Sequence, residues 1–398
     1  MRRTCLAAGN SYDVVVIGAG LAGLECARRL ADSGLSVLLI DRKPDISRSI
    51  HTTGIFARRT LEDFDLPEDC LGPPIRQVIL YSPARRPLLL ESPLDEFRLG
   101  RMGALYERRL ADCLRAGVHW SPATRFVGIE NRAETSCVRL STPGRTRAVR
   151  ARYIVGADGV ASPTARALCL GGNRRWIAGA EDVLRGVPLK GPPRLQCFLD
   201  PDLAPGYLAW IVQDGAETHL GVGGLPGRFD IARALERFRA EAETYLDFSR
   251  ARLTERRGGA IPVGGILPLI ANARGLLVGD AAGAVSPLTA GGLDGSVRLS
   301  ALAASVIARH LSGDASALFS YSGSALQRRF RSRLALRTVM DLTTSRPLVE
   351  LGCFLLRATP LKVLARQIFF GTTVAPAWSG SGFATGPRLA RMRAHPRP

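Results

Sequence analysis

The sequence predicts an α/β fold: a Rossmann-like nucleotide-binding domain that carries an inserted antiparallel sheet and ends in a helical C-terminal tail. Three observations predict it. Asp13 to Ile17 is a β-branched run closed by Gly18, Leu21 to Leu30 repeats apolar residues at helical spacing until Gly34, and Ser36 to Ile40 is a second buried run, so the chain opens as β-α-β. Between about 170 and 262 the apolar residues alternate instead, as in half-buried strands. From about 317 onward the periodicity is helical again.

Taken in order, Arg98 to Gly117 reads as a helix with Leu105, Leu110 and Leu114 on its apolar face. Strands follow at about 124–130, 136–141 and 147–155, with Pro143-Gly144 as a hairpin turn. Gln196–Leu199, Leu208–Val212 and His219–Val222 are expected to form an antiparallel sheet, interrupted by one helix at about Ile231–Thr244. Gly275 to Val278 returns as a buried strand, followed by the glycine-rich stretch 279–295 and a long helix to His310. The expected organisation is a discontinuous nucleotide domain (11–75, 98–168, 263–316), a second domain (76–97, 169–262) and a helical region (317–398). In that last region Pro360 separates two amphipathic pieces, which read first as a helical cap on the core and alternatively as an anchor lying on a membrane surface.

At 398 residues with 46% apolar and 22% charged content, the chain can bury a sizeable core, and disorder is excluded. The formal charge is +19, yet only Lys43, Lys190 and Lys362 among the 54 basic residues are lysine, and the arginines are interleaved with Leu, Ala and Gly rather than with aromatics. That pattern argues against nucleic acid and leaves an anionic substrate or an anionic membrane face. The eight cysteines show no C-x-x-C and no Cys/His spacing suited to a metal, so a reducing, cytoplasmic setting without a metal site is expected. No run of 18 apolar residues occurs, so no membrane span is expected, although peripheral contact stays open.

The chemistry begins at Gly18-Ala19-Gly20-Leu21-Ala22-Gly23, a G-x-G-x-x-G between strand and helix, with Asp41 closing the second strand and Arg42 beside it. Gly18 permits the tight turn, Gly20 lets a pyrophosphate approach the backbone, and Gly23 allows close helix-strand packing. The helix N-terminus offers positive potential to phosphates, and Asp41 would accept from ribose hydroxyls. This fingerprint alone does not separate FAD from NAD.

Two distant segments bear on that choice. Tyr153-Ile-Val-Gly-Ala-Asp158-Gly159-Val-Ala-Ser162 and Leu276-Leu-Val-Gly279-Asp280-Ala-Ala-Gly283, leading through Gly291-Gly292 into a helix, resemble the signatures of the flavoprotein hydroxylase (para-hydroxybenzoate hydroxylase-like) and geranylgeranyl reductase superfamily. The resemblance implies an FAD site in which Asp158-Gly159 lies near the pyrophosphate and the reductant's route of access, and Asp280 bonds the ribityl chain. It also implies an arginine on the pyrophosphate, matched loosely by Arg98 or Arg101, with Arg101 favoured. N–H groups of the helix after Gly291-Gly292 would face the flavin's pyrimidine end, where negative charge develops on reduction.

Further segments resemble the geranylgeranyl reductase branch, over roughly residues 11 to 310: Ser162-Pro163-Thr-Ala-Arg166, Ala178-Gly179-Ala180-Glu181, and Pro201-Asp202 leading to Tyr207-Leu208-Ala209-Trp210. The last is only partial, because Val212-Gln213 stands where the branch has Phe-Pro. His51-Thr52-Thr53-Gly54-Ile55 matches a segment beside the flavin in which the branch has cysteine at the position of His51. An imidazole there is a candidate proton donor, since its ordinary pKa lies near working pH. Tyr207 and Trp210 are expected to wall a substrate cavity.

The implied activity is reduction of C=C bonds of a prenyl or other apolar substrate by hydride from reduced FAD, with NAD(P)H or a reduced protein partner as transient donor. Alternatives are an FAD-dependent monooxygenase acting on an aromatic or polyketide-like substrate, a halogenase, of whose W-x-W-x-I-P segment only Trp210-Ile211 survives, and a flavin-binding scaffold without turnover. The substrate, the donor and the oligomeric state are not legible in the sequence.

Overall fold

The computed structural model describes residues 11–131, 134–342, 345–357 and 361–370. Two sheets stand side by side, joined through seven principal helices: α1 (Leu21–Asp32), α2 (Met102–Arg115), α3 (Ile231–Ala242), α4 (Leu293–Leu311), α5 (Arg331–Leu342), α6 (Arg346–Arg357) and α7 (Leu361–Phe370). The first sheet has five parallel strands in the order Gly275–Leu277, Arg145–Gly156, Ser11–Ile17, Val37–Ile40, His119–Ser121. Val14, Val16, Val37, Leu39 and Val155 pack under α1 and α4, whose Leu24, Ala27, Leu299 and Ala303 are fully enclosed. Strands buried on both faces tolerate continuous apolar runs, which is why Val14-Val15-Val16-Ile17 and Val37-Leu38-Leu39-Ile40 carry no alternation. The Arg125–Asn131 and Ser136–Thr142 hairpin extends the Arg145–Gly156 strand beyond the parallel layer.

Ser11–Ile17 is central, and the chain leaves it toward Val37–Ile40 on one side and is met by Arg145–Gly156 on the other. The strand order reverses there, so a crevice opens at the C-terminal end of the strand where Gly18 sits. The sequence reading of this domain and of its pieces at 147–155 and 275–278 agrees with these strands.

The second sheet has seven strands in the order Arg252–Pro262, Trp176–Arg185, Thr218–Gly224, Ala209–Gln213, Arg194–Phe198, Gln77–Tyr81, Pro87–Glu91. The strands expected at about 196–199, 208–212 and 219–222 are antiparallel neighbours, with one correction from the 76–97 piece of the sheet: Gln77–Tyr81 and Arg194–Phe198 run parallel. The first of these comes from the separate segment before α2, so no hairpin dictates its direction. Helix α3 covers the outer face with Leu235 and Phe238 against Phe198, Leu220 and Val222. A second correction concerns the expected helix from Arg98. The Phe97–Leu99 segment instead pairs with Ile55–Ala57 as a two-stranded ribbon, and α2 begins at Met102. Among the described residues no helix is long and apolar enough to cross a membrane.

Candidate active site

At the fingerprint, Gly18 has φ +104°, and a Cβ there would lie 2.3 Å from the Ala157 carbonyl oxygen. A Cβ on Gly23 would lie 1.9 Å from the Gly18 oxygen. These two glycines therefore let the turn, the helix and the 156–158 segment close on one another. Gly20 is different: a Cβ there would meet nothing within 4 Å, so its backbone faces open space. It is the N-cap of α1 and no side chain caps the helix, which leaves the first-turn N–H groups for a ligand.

Asp41 braces this turn, one carboxylate oxygen accepting from the Ala19 N–H (2.7 Å) and the other from the Lys43 N–H (2.8 Å). Ala19 thus holds the loop through Asp41; Arg42 beside it is exposed. Tyr106, on α2, was not singled out from the sequence. It stands near Asp41 and Asp280 beside the start of α1, with burial pushing its hydroxyl up to about 12.

Asp280 follows Gly279 at the end of Gly275–Leu277. Burial alone pushes its carboxyl up to about 6, and among the described residues no side chain or backbone group donates to its carboxylate. A desolvated carboxylate without a donor is costly, and a polyol hydroxyl is the partner it lacks. Gly291-Gly292 leads into α4, which has Gly292 as N-cap and no side-chain cap. Two uncapped helix starts, an open glycine and an unpartnered carboxylate at the ends of the two parallel strands that flank Arg145–Gly156 fit the phosphates, ribityl chain and ring of FAD.

Two residues expected at the cofactor also have protein partners. Arg101 is ion-paired with Asp214 (2.6 Å) and Glu217 (3.4 Å) of the second sheet, so its guanidinium links the two sheets. The Asp158 carboxylate accepts from the Ser162 hydroxyl (2.5 Å) and from the Thr164 N–H (2.9 Å) and hydroxyl (2.7 Å). It shapes the turn into the short Pro163–Ala167 helix, and Gly159 (φ +81°) gives that turn its left-handed step.

The second sheet presents a distinctive face to this crevice. The register sets Glu181 opposite Gly221 and Gly179 opposite Gly223, with Trp210 opposite Gly221 on the next strand. The indole lies on Gly221, where a Cβ would be 2.2 Å from its ring, and the phenol of Tyr207 lies on Gly223 (2.9 Å). Glycine is required at both places because the aromatics occupy the space over the strand. Tyr207 donates to the Thr289 carbonyl (2.7 Å), which ties this wall to the loop before Gly291-Gly292, and burial raises its hydroxyl pKa. Leu208, Leu195, Cys197, Val212, Phe369 and Phe370 continue the wall as an apolar cluster with Trp210.

Polar contacts concentrate at its edge. Trp210 Nε1 donates to Glu181 (2.9 Å), as does the Thr53 hydroxyl, while His219 Nδ1 is 2.9 Å and Arg257 3.7 Å from the other Glu181 oxygen. Arg257 also donates to the Thr52 carbonyl (2.7 Å). His219 is pushed up to about 9: burial opposes its charge, but Glu181 and Glu217 outweigh that; Glu181 is held below its usual range despite burial, chiefly by His219. Neither Glu181 nor His219 was read as a site residue, although a carboxylate and an imidazole on the inner positions of glycine-rich strands are the signal for it. His51 is exposed and donates from Nδ1 to the Gly258 carbonyl (2.7 Å), which leaves Nε2 to face outward from the same loop. Among the described residues no cluster of three His, Cys, Asp or Glu is placed to hold a metal ion.

With this geometry in hand, known proteins can be compared. The lycopene cyclase protein family pattern matches residues 13–177, the part that contains the fingerprint and the Asp158-Gly159 turn. Digeranylgeranylglycerophospholipid reductase of Methanosarcina acetivorans is 27% identical over 362 residues, covering 86% of this chain and 85% of that one. The chain is thus similar to geranylgeranyl-type reductases, and it is an FAD-dependent oxidoreductase. The fold of this reductase-like flavoprotein is that of a geranylgeranyl bacteriochlorophyll reductase-like protein from Thermoplasma acidophilum, with TM-score 0.79, 18% identity and coverage of 92% and 98% of the two chains. The fold is also shared with p-nitrophenol 4-monooxygenase from Pseudomonas putida, with TM-score 0.69, 16% identity and coverage of 92% and 99%.

Proposed function

We propose that this chain reduces C=C bonds of a prenyl or other apolar substrate by hydride transfer from reduced FAD. The observation that carries the reading is the wall of Tyr207 and Trp210 laid on glycines beside the cofactor crevice, continued by Leu208, Cys197, Val212 and Phe369. Such a surface is apolar, and the Tyr207 hydroxyl and Trp210 Nε1 are already paired, so it favours a chain without polar groups to satisfy. The curated relative's action on a digeranylgeranyl lipid supports the same substrate class.

FAD, when bound, supplies the hydride. The protein's residues do the rest. The N–H groups at Gly20 and after Gly292 hold negative charge, Asp280 fixes the polyol, and Trp210 orients the substrate while keeping water away. His51 is the proposed proton donor. Since its neutral ring donates through Nδ1 to Gly258, it gives up a proton from Nε2 only in the imidazolium form. The electron donor is read as transient NAD(P)H or a reduced protein.

The test is anaerobic incubation of dithionite-reduced holoprotein with detergent-dispersed geranylgeranyl lipids, followed by mass spectrometry. Products heavier by about two mass units per bond are expected from the gain of two hydrogens. Unchanged lipid masses, with oxygen consumption stimulated by aromatic compounds, would overturn the reading in favour of a monooxygenase.

A further inference from the structure

Helices α5 to α7 are amphipathic the wrong way round. On α6, Pro347, Leu348, Leu351, Phe354 and Leu355 fall within about a third of the helix circumference, and that arc faces outward: Leu348 is 57%, Leu351 54% and Phe354 60% exposed. On α5, Ala335, Leu336, Val339 and Leu342 form a similar outward arc, with Leu342 76% exposed. Leu361 and Val363 extend the apolar surface onto α7. A patch of this extent on three successive helices marks an interaction site.

The charges on the same helices identify the partner. The sequence from 331 to 370 holds seven basic residues and only two acidic ones. Both acids are engaged inward: Asp341 with Arg337 and Arg175, and Glu350 with the Ser82 hydroxyl and the Ala84 N–H. Arg331, Arg346, Lys362 and Arg366 are exposed. Arg346 pairs with Asp202 (3.4 Å), but cations still outnumber acids on this face, and exposed leucines and phenylalanine among them suit a surface that is apolar below and anionic above.

The inner faces of these helices reach the candidate active site. Leu356, Ala365, Phe369 and Phe370 belong to the apolar cluster containing Trp210, Leu208 and Cys197. Arg337, fully buried on α5, donates to the Gly206 carbonyl (2.7 Å) and lies 5.9 Å from the Tyr207 ring centroid.

We propose that α5, α6 and α7 form a platform that docks on an anionic lipid bilayer and opens the apolar wall beside Trp210 toward its acyl chains. The docking stands on the surface alone; the delivery of a lipid chain to Trp210 rests on the reductase reading above. The two are separable by experiment. Flotation of the oxidised, full-length holoprotein with substrate-free vesicles reads only the surface, whereas reduction of detergent-dispersed lipid needs no bilayer.

The holoprotein should float with phosphatidylcholine vesicles containing about 30% phosphatidylglycerol and much less with pure phosphatidylcholine. The double variant L351E/F354E, matched to the parent in FAD content, should lose at least about tenfold in vesicle partition. As a variant that keeps the face apolar, Phe354→Trp should have its added fluorescence quenched by lipids brominated in the acyl chains. Absence of flotation, flotation unchanged in the double variant, or a dimer in solution that the double variant dissociates without vesicle binding would each overturn the proposal.

Discussion

Replacing His219 with glutamine tests whether the buried ionic network beside Trp210 is a real contributor to the fold. His219 is 1% exposed, lies 2.9 Å from Glu181 and 3.5 Å from Glu217, and titrates at about 9 against an ordinary 6.5. A folded pKa raised above the unfolded one stabilises fully below the unfolded value, and the stabilisation is lost as pH rises through the folded value. The upward shift of His219 therefore corresponds to about 3 kcal/mol at pH 6, nearly all of it gone by about pH 9.5. Glu217 is lowered to about 2, first by the same histidine, so the contact is counted once. Urea unfolding of parent and His219→Gln, at pH 6 and again at pH 9.5, gives a difference in which titrating groups outside the His219, Glu181 and Glu217 cluster cancel. The parent should be the more stable at pH 6 by about 3 kcal/mol, more than a hundredfold in the folded ratio, with the gap nearly closed at the higher pH. Parallel pH dependences in the two proteins would show that His219 does not carry the charge assigned to it.

Gly18→Ala places a Cβ against the Ala157 carbonyl at a φ that alanine resists, so the purified variant should lack the flavin absorbance of the parent; a normal FAD content would refute the role of this turn. Asp280→Asn should weaken FAD binding by about 1.5–3 kcal/mol, tenfold to a hundredfold in Kd by fluorescence titration. Because the Asp280 carboxyl is pushed up to about 6, FAD affinity of the parent should fall as pH drops through that value, and the variant's affinity should not. Tyr207→Phe removes the bond to the Thr289 carbonyl, and a loss of about 1 kcal/mol with faster FAD release is expected, checked by thermal unfolding and by flavin fluorescence recovery after dilution.

What the sequence disclosed and what it hid divide by range. Gly18, Gly23 and the uncapped α1 were legible because a turn and the helix after it impose their demands on six consecutive residues. The strands at 209–213 and 218–224 were legible as short apolar runs between turn residues, but they are buried on both faces rather than alternating. The parallel pairing of Gln77–Tyr81 with Arg194–Phe198 was not, since nothing in either segment encodes a partner more than a hundred residues away. Arg101 was assigned to a phosphate because it precedes a helix in the right region; its partners Asp214 and Glu217 lie on another sheet. Asp158 could have been read better: Ser162 before Pro163 is the pattern of a capped helix start, and a preceding aspartate readily braces such a turn.

The same division explains why Glu181 escaped notice. Alone it is a charged residue in a strand, and its meaning comes from register, which places it opposite Gly221, beside Trp210 and within reach of His219 and Arg257. Several of these contacts cross between the two domains: Thr53 to Glu181, Arg257 to the Thr52 carbonyl, and Arg101 to Asp214 and Glu217. Apolar contacts allow sliding at little cost, whereas buried ion pairs tolerate little displacement because a displaced charge is left unpaired. The proposed substrate wall is thus indexed to the crevice by charge, while the wall itself stays apolar. That separation lets Trp210 and Tyr207 present a surface without free polar groups and still hold a fixed distance from the 51–54 loop and the Thr289 carbonyl.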